Sequence, residues 1–311
     1  MIFWFGVSAI ALVFSIVITL IQNGPPLTFP DAHPLSGIPT VQESTATGPA
    51  APQTTTTGAN TTSMATTWPN DLTQHSTVSA LMAGHASSGP PASQLSHYGT
   101  HGIGTFARMD GELLLLDRQA WQFTRDGAAR RAPPSAAVPF VQVTSFSPEH
   151  DATVPRAWRK RELLALTRAL GGPDAGGPNS FMAILLKGRF RSVALRAAGP
   201  QARAGQPLAE VAREARQWSS DAVGGTMFGF VSPEWAQGLS VAGAHLHFLS
   251  DDEGGRGAER QGGHVRDFEA EPGARLQWAV CGHVHLGLPR GQAWEALDMA
   301  LDSKGIEAAE E

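Results

Sequence analysis

The chain has 311 residues, 42% hydrophobic and 16% charged, enough for one large domain or two small ones. Its 23 Lys and Arg against 28 Asp and Glu leave a formal charge of −5, which argues against a nucleic-acid binder held by a basic surface. A single cysteine, Cys281, excludes an intrachain disulfide and any multi-cysteine metal site, while eleven histidines leave room for an imidazole-ligated metal.

In chain order, residues 2–21 come first: they run apolar without a charge, and about 20 such residues cross a bilayer as a helix. A cleaved signal peptide would want a basic start and a small-residue cleavage site. Neither Met1-Ile2-Phe3-Trp4-Phe5 nor Leu20-Ile21-Gln22-Asn23 supplies one. Residues 1–21 are therefore expected to be an uncleaved signal anchor, holding the rest of the chain at a membrane outside the cytosol. Secretion is the alternative if the segment is cleaved. Residues 22–68 are rich in Thr, Pro, Ala, Ser and Gly, with a threonine run from Thr54 to Thr57 and the sequon Asn60-Thr61-Thr62. They bury too little apolar area to offset their ordering entropy and read as a disordered stalk. The first Lys or Arg is Arg108, and composition places the working domain at 69–311.

Within that domain, Gln74 to Ala83 has helical spacing, with Val78, Leu81 and Met82 on one side. Glu112 to Asp117 holds a four-leucine run that suits a buried strand, and Ala120 to Thr124 follows after a turn. Val138 to Phe146 is a further strand. Trp158 to Leu170 is helical, with Gly171 as its stop. Phe181 to Lys187 and Arg189 to Arg196 read as a hairpin turning at Gly188. Pro207 to Trp218 carries a helical stripe of Leu208, Val211, Ala212, Ala215 and Trp218. Met227 to Val231, Ser240 to Leu249 and Gln277 to Leu288 are strands, and Gly254 to Arg260 is a surface loop. Strands outnumber helices. This predicts a mixed α/β fold of the α+β kind, a strand-rich domain in two parts with mixed sheets.

The chemistry concentrates in Gly243-Ala244-His245-Leu246-His247-Phe248-Leu249. Side chains at i and i+2 of a strand share a face, so His245 and His247 stand side by side, about 7 Å apart at Cα. Ala244, Leu246 and Phe248 face the other way. His264, after Gly262 and Gly263, is the candidate third ligand of a site with an open position, the glycines letting the backbone bend to turn the imidazole inward. Eleven histidines in 311 residues give roughly 0.4 His-x-His pairs by chance, so the motif alone is weak. A second pair, His283-Val284-His285, has no nearby third histidine and reads as a half-exposed strand face. On their own, Glu112 reads rather as a solvated turn residue and Arg196 as a strand-edge charge, since most charged residues are simply exposed.

The order of several segments resembles the alpha-acetolactate decarboxylase family. The matching pieces begin with Gln74 to Met82, Gly102-Ile103-Gly104-Thr105-Phe106 and Met109-Asp110-Gly111-Glu112-Leu113. Lys187-Gly188-Arg189-Phe190 through Arg196, Pro207-Leu208 and Gly225 to Phe230 follow, then Gly243 to Asp252 and Gly262-Gly263-His264-Val265. The resemblance covers about residues 72–311. It implies a Zn2+ ion held by His245, His247 and His264, and decarboxylation of 2-acetolactate to acetoin and carbon dioxide. It further implies Glu112 as acid/base, Arg196 as a guanidinium fork toward the substrate, Thr105 lining the site, and a C-terminal glutamate near the metal, for which Glu310 is the candidate. A small-molecule substrate and no nucleic acid are expected, with the membrane reached through the N-terminal helix and a homodimer possible. Two other readings stay open: another three-histidine zinc enzyme such as a hydrolase, and an inactive stalked cell-surface binding module. The segment between His247 and His264 is longer than the family's, Arg266 stands where an apolar residue is usual, and the anchor and stalk are unusual.

Overall fold

The computed structural model describes residues 69–252, 260–299 and 302–310. Residues 1–21 and 22–68, to which the anchor and stalk readings apply, lie outside the described residues. In chain order the elements are β1 (Leu72–His75), α1 (Val78–Met82), α2 (Leu95–Tyr98), β2 (His101–Thr105), β3 (Glu112–Leu116), β4 (Gln119–Phe123) and β5 (Ala129–Arg131). Next come β6 (Phe140–Thr144), β7 (His150–Val154), β8 (Trp158–Arg159), α3 (Leu163–Gly171), β9 (Phe181–Ala197) and α4 (Leu208–Arg213). The chain continues through β10 (Arg216–Ser232), β11 (Gly243–Ser250), β12 (Gly262–Ala270), β13 (Ala274–Cys281), β14 (Val284–Gly287), α5 (Gln292–Glu295) and α6 (Ser303–Glu310).

The strands form two sheets. The first runs β14-β1-β6-β2-β3-β4-β5, antiparallel except for the parallel pair β1–β14. The second runs β7-β13-β9-β10-β11-β12-β8, and β12 also pairs with the C-terminal half of β9, so β9, β10, β11 and β12 close on themselves. Strand alternation sorts the side chains into layers. Leu72, Ile103, Leu114 and Phe123 of the first sheet pack against Ala183, Phe228, Phe230 and Leu249 of the second. The opposite face of the second sheet buries Leu186, Phe190, Leu195, Leu246, Phe248 and Trp278 against Leu163 and Leu166 of α3. A third cluster, Val78, Leu81, Phe140, Val211 and Ile306, gathers α1, α4 and α6 at one end. The strand-rich mixed α/β expectation therefore holds.

Several local expectations change for stated reasons. Gly188 makes no hairpin: β9 is one 17-residue strand, paired along its length with β10 and successively with β13 and β12. The glycine serves a close approach instead, since a Cβ there would lie 3.0 Å from Ala274 Cα. The helix expected from Pro207 to Trp218 stops at Arg213, because Arg216 to Asp221 pair with Ser192 to Ala197 and tertiary pairing overrides the apolar stripe. Gln74 and His75 belong to β1. Ser76, at φ 66°, breaks the chain direction, and Thr77 caps α1 by accepting from Ala80 N at 3.1 Å. The last strand divides after Cys281, as β14 crosses to the other sheet. Arg260 is anchored rather than loose: its Nε donates to Ser250 O at 2.7 Å and its guanidinium sits 4.8 Å from the centre of the Trp121 ring. The rest of that expected loop, 253–259, lies outside the described residues.

The expectation of membrane anchoring is corrected. No helix among the described residues is long and apolar enough to cross a membrane. The longest of them, α3, has nine residues. At the usual rise that is about 14 Å, against a hydrocarbon core of about 30 Å.

Candidate active site

The register of the second sheet assembles the histidines. His245 and His247 share the face of β11 that carries Leu249, toward the first sheet, while Leu246 and Phe248 point into the opposite core. Antiparallel pairing sets His247 opposite His264 on β12, and His264 opposite Arg196 on β9. Three neighbouring strands thus place His247, His264 and Arg196 in one row. The ring centroids lie 5.2 Å apart for His245–His247, 4.9 Å for His245–His264 and 5.6 Å for His247–His264. One ring nitrogen from each lies within 4.8 Å of the others, and all three residues are buried.

His264 is reached by a straight strand, not a bend. Gly262 and Gly263 belong to β12, and neither is among the positive-φ residues. Their smallness is needed for close packing. A Cβ on Gly262 would meet the Phe123 ring at 2.3 Å, and one on Gly263 would meet Arg196 O at 2.7 Å and the Trp218 ring at 3.1 Å.

The first sheet supplies the facing groups. Thr105 and Glu112 are direct partners across β2 and β3, on the same face as Ile103 and Leu114. Thr105 Oγ1 donates to Gly111 O at 2.9 Å, tying down the turn that leads into Glu112. Glu112 Oε2 lies 3.8 Å from His247 Nε2. His247 Nδ1 donates to Leu113 O at 2.7 Å; a carbonyl can only accept, so this bond leaves the lone pair of that ring on Nε2. Arg196 is buried, 5% exposed, beside His245 and His264.

Two cavities share His245 and His264. The smaller, about 40 Å³, is lined by Thr105, Glu112 and Arg196 under α1 and α4. The larger, about 800 Å³, is lined by Lys160, Asn179, Ser232, Gln237 and Glu307. Lys160 was not singled out by the sequence. Its Nζ donates to Val265 O at 2.9 Å and Arg266 O at 3.2 Å, on the strand that carries His264, and no sequence spacing announces such a contact. Glu310 ends α6, but its side chain lies outside what is described; Glu307 of the same helix lines the larger cavity.

Burial pushes the His245 pKa down to about 3, with the Arg196 and Lys160 charges adding to the effect. His264 is lowered well below its ordinary value by burial, then by Arg196, the other two imidazoles and Lys160. Both rings are neutral at pH 7, as metal ligation requires. Buried nitrogens of neutral imidazoles, close together and with one tautomer fixed by a backbone carbonyl, fit a metal of the kind that imidazole binds. By contrast His283, just before β14, and His285, within it, are exposed, and both face Asp71.

These features define a metal-competent, buried centre between two sheets, with a carboxylate and a guanidinium facing it. The family model for alpha-acetolactate decarboxylase matches residues 72–301. The chain is 34% identical over 231 residues to the alpha-acetolactate decarboxylase of Methylococcus capsulatus, covering 74% of this chain and 85% of that one. The Bacillus subtilis strain 168 alpha-acetolactate decarboxylase is 32% identical over 206 residues, covering 65% and 75%. A crystal structure of the enzyme from that strain superposes with a TM-score of 0.70 at 27% identity, covering 77% of this chain and 99% of that one. The chain belongs to the alpha-acetolactate decarboxylase family and is a lyase.

Proposed function

We propose that this chain converts 2-acetolactate to acetoin and carbon dioxide with Zn2+ held by His245, His247 and His264. One observation carries the reading: in a chain of this family, three buried imidazoles converge on a face where Glu112, Thr105 and Arg196 also meet. Three histidine ligands with a further open position are a common catalytic zinc arrangement. When bound, the ion supplies Lewis acidity to oxygens that gain negative charge.

The protein's own groups account for the remaining chemistry. As the bond to the carboxylate carbon breaks, its electron pair passes into an enediolate. Arg196 then donates to oxygen where charge develops. A tight grip on the departing carboxylate would stabilise the ground state and slow the reaction. Glu112, fixed beside His247, delivers the proton that the enediolate carbon needs. Thr105 acts as a positioning residue, through Gly111, on the turn before Glu112.

The test measures metal content and acetoin formation together on the purified full-length chain, before and after chelation and after return of Zn2+, Mn2+ or Fe2+. Zinc-restored turnover supports the reading. Absence of acetoin from acetolactate, or turnover that survives complete metal removal, overturns it.

A further inference from the structure

The strand that carries His264 changes register just beyond it. β12 pairs with β9 as Val265 opposite Leu195 and then Asp267 opposite Ala194, so Arg266 is one residue more than the partner strand matches. Such an insertion is a β-bulge. The Arg266 side chain stands exposed, its Nη1 donating to Gln217 Oε1 at 2.8 Å.

The bulge decides which way His264 faces. Val265, Phe268 and Ala270 all lie in the core that also holds Leu246 and Phe248. In an unbroken strand residues 264, 266, 268 and 270 share one face. With Phe268 and Ala270 in that core, His264 would enter it too, on the side away from His245 and His247. A shift of one residue reverses the faces. Val265 then takes the core position, and His264 turns toward the other imidazoles, 4.9 Å from His245 between ring centroids. A matching shift on β9, between Phe190 and Ser192, does the same for Arg196, while Phe190, Val193 and Leu195 keep to the core.

A bulge needs partners for the backbone groups it takes out of the ladder. On the side away from β9, β12 pairs with β11 as far as His264 and with β8 from Glu269. Residues 265 to 268 run between those two partners. Lys160 follows β8 directly, in a short helical turn, Lys160–Glu162, that leads into α3. Pairing of Arg159 and Trp158 with Glu269 and Ala270 fixes where that turn starts. From there Lys160 Nζ donates to Val265 O at 2.9 Å and to Arg266 O at 3.2 Å, the carbonyls at the bulge. One ammonium thus bridges the gap between β11 and β8, at the residues next to His264.

We propose that Lys160 is a positioning residue of the metal site: it clasps the Arg266 bulge and so holds His264 on the face of His245 and His247. The inference rests on the reading of these three histidines as the metal ligands. Charge and clasp make opposite predictions for Lys160. A cation near a metal ion opposes its binding, so removing an ammonium that acted through charge alone would tighten binding. Removing a clasp weakens it.

The test compares Zn2+ affinity by calorimetric titration of metal-stripped full-length chains: wild type, Lys160→Met and Lys160→Arg. Lys160→Met is expected to weaken binding by about 10- to 100-fold, the usual cost of losing a group that orients a ligand. Lys160→Arg keeps donors for both carbonyls and recovers most of that loss. The same chains, labelled at histidine and metal-free, show by NMR whether the ring protons of His264 and His245 stay close. That contact is expected in the wild type and Lys160→Arg and is expected to fade in Lys160→Met. Deletion of Arg266 abolishes both the contact and the tight binding. Affinity in Lys160→Met equal to or above that of the wild type overturns the proposal, as does an unchanged ring contact. A wild type that shows the ring contact but binds no zinc would sink the reading of the metal instead, and the ring contact alone would then decide whether Lys160 aims His264.

Discussion

Histidines stand at i and i+2 on β11 and again where the chain enters β14, His283 just before that strand and His285 within it, and the fold makes different things of the two pairs. On β11 the pair lies between two sheets, His245 and His247 being 8% and 0% exposed, and β12 brings His264 alongside. At the start of β14 the pair stands at the edge of a sheet, exposed, with one buried carboxylate behind it. The spacing is shared; the neighbours are not. Burial keeps His245 and His264 neutral and the paired strands gather three nitrogens, while the second pair stands exposed with Asp71 as its neighbour. A motif of alternating histidines therefore specifies a face and a separation, and the strand paired beside it decides the chemistry.

That contrast can be broken most forcefully at the triad. Replacing His245, His247 or His264 by Ala is expected to remove the tightly bound metal and lower turnover by about 10³-fold or more, the loss of several kcal/mol of charge stabilisation. Elemental analysis beside the acetoin assay checks this. Tight metal that survives all three changes but leaves with His283 and His285 would reverse the assignment.

Changing the facing groups should separate metal binding from chemistry. Glu112→Gln is expected to retain the metal and lower kcat by about 10²- to 10⁴-fold, since it deletes an ionisable proton donor. Arg196→Lys should also leave turnover low, because an ammonium does not reproduce the guanidinium fork. Near-normal kcat in either variant would reduce that residue to a structural part.

Backbone packing comes next. Gly263→Val would push a Cβ to 2.7 Å from Arg196 O, and Gly262→Val to 2.3 Å from the Phe123 ring. Each is expected to cost about 1–3 kcal/mol by overpacking and to spread the row that holds His264, so that metal is lost. Thermal melts with metal content measure both consequences.

The metal-free protein should be sensitive to acid. His245 titrates near 3 in the folded chain against an ordinary value of 6.5, and His264 is lowered likewise. Between those pH values the unfolded chain binds more protons, so stability rises with pH there and is lost as pH falls below about 6.5. Denaturant unfolding at pH 7.5 and 5.5 reads the slope, which His245→Asn should flatten. The smallest effect belongs to the exposed pair. His283→Gln with His285→Gln is expected to change stability by only about 0–1 kcal/mol and to leave kcat unaltered, which kinetics and melting would show.

Much of the site was legible in the sequence because strand alternation is local. The facing of His245 and His247 away from Leu246 and Phe248, and the leucine strand that begins at Glu112, follow from residue order alone. The ordered set of segments likewise reads as the family. The partners of each strand depend on contacts far apart in the chain, and periodicity does not encode them. Only the tertiary structure straightened β9 through Gly188 and drew Arg216 to Trp218 into β10. It also showed that Gly262 and Gly263 are small because Phe123, Arg196 and Trp218 press on them. Asp71 meets His283 and His285 across more than two hundred residues, because β14 leaves one sheet and joins the other beside β1. Such meetings are settled by which strands pair and by what burial then excludes, and these are properties of the folded chain rather than of any segment within it.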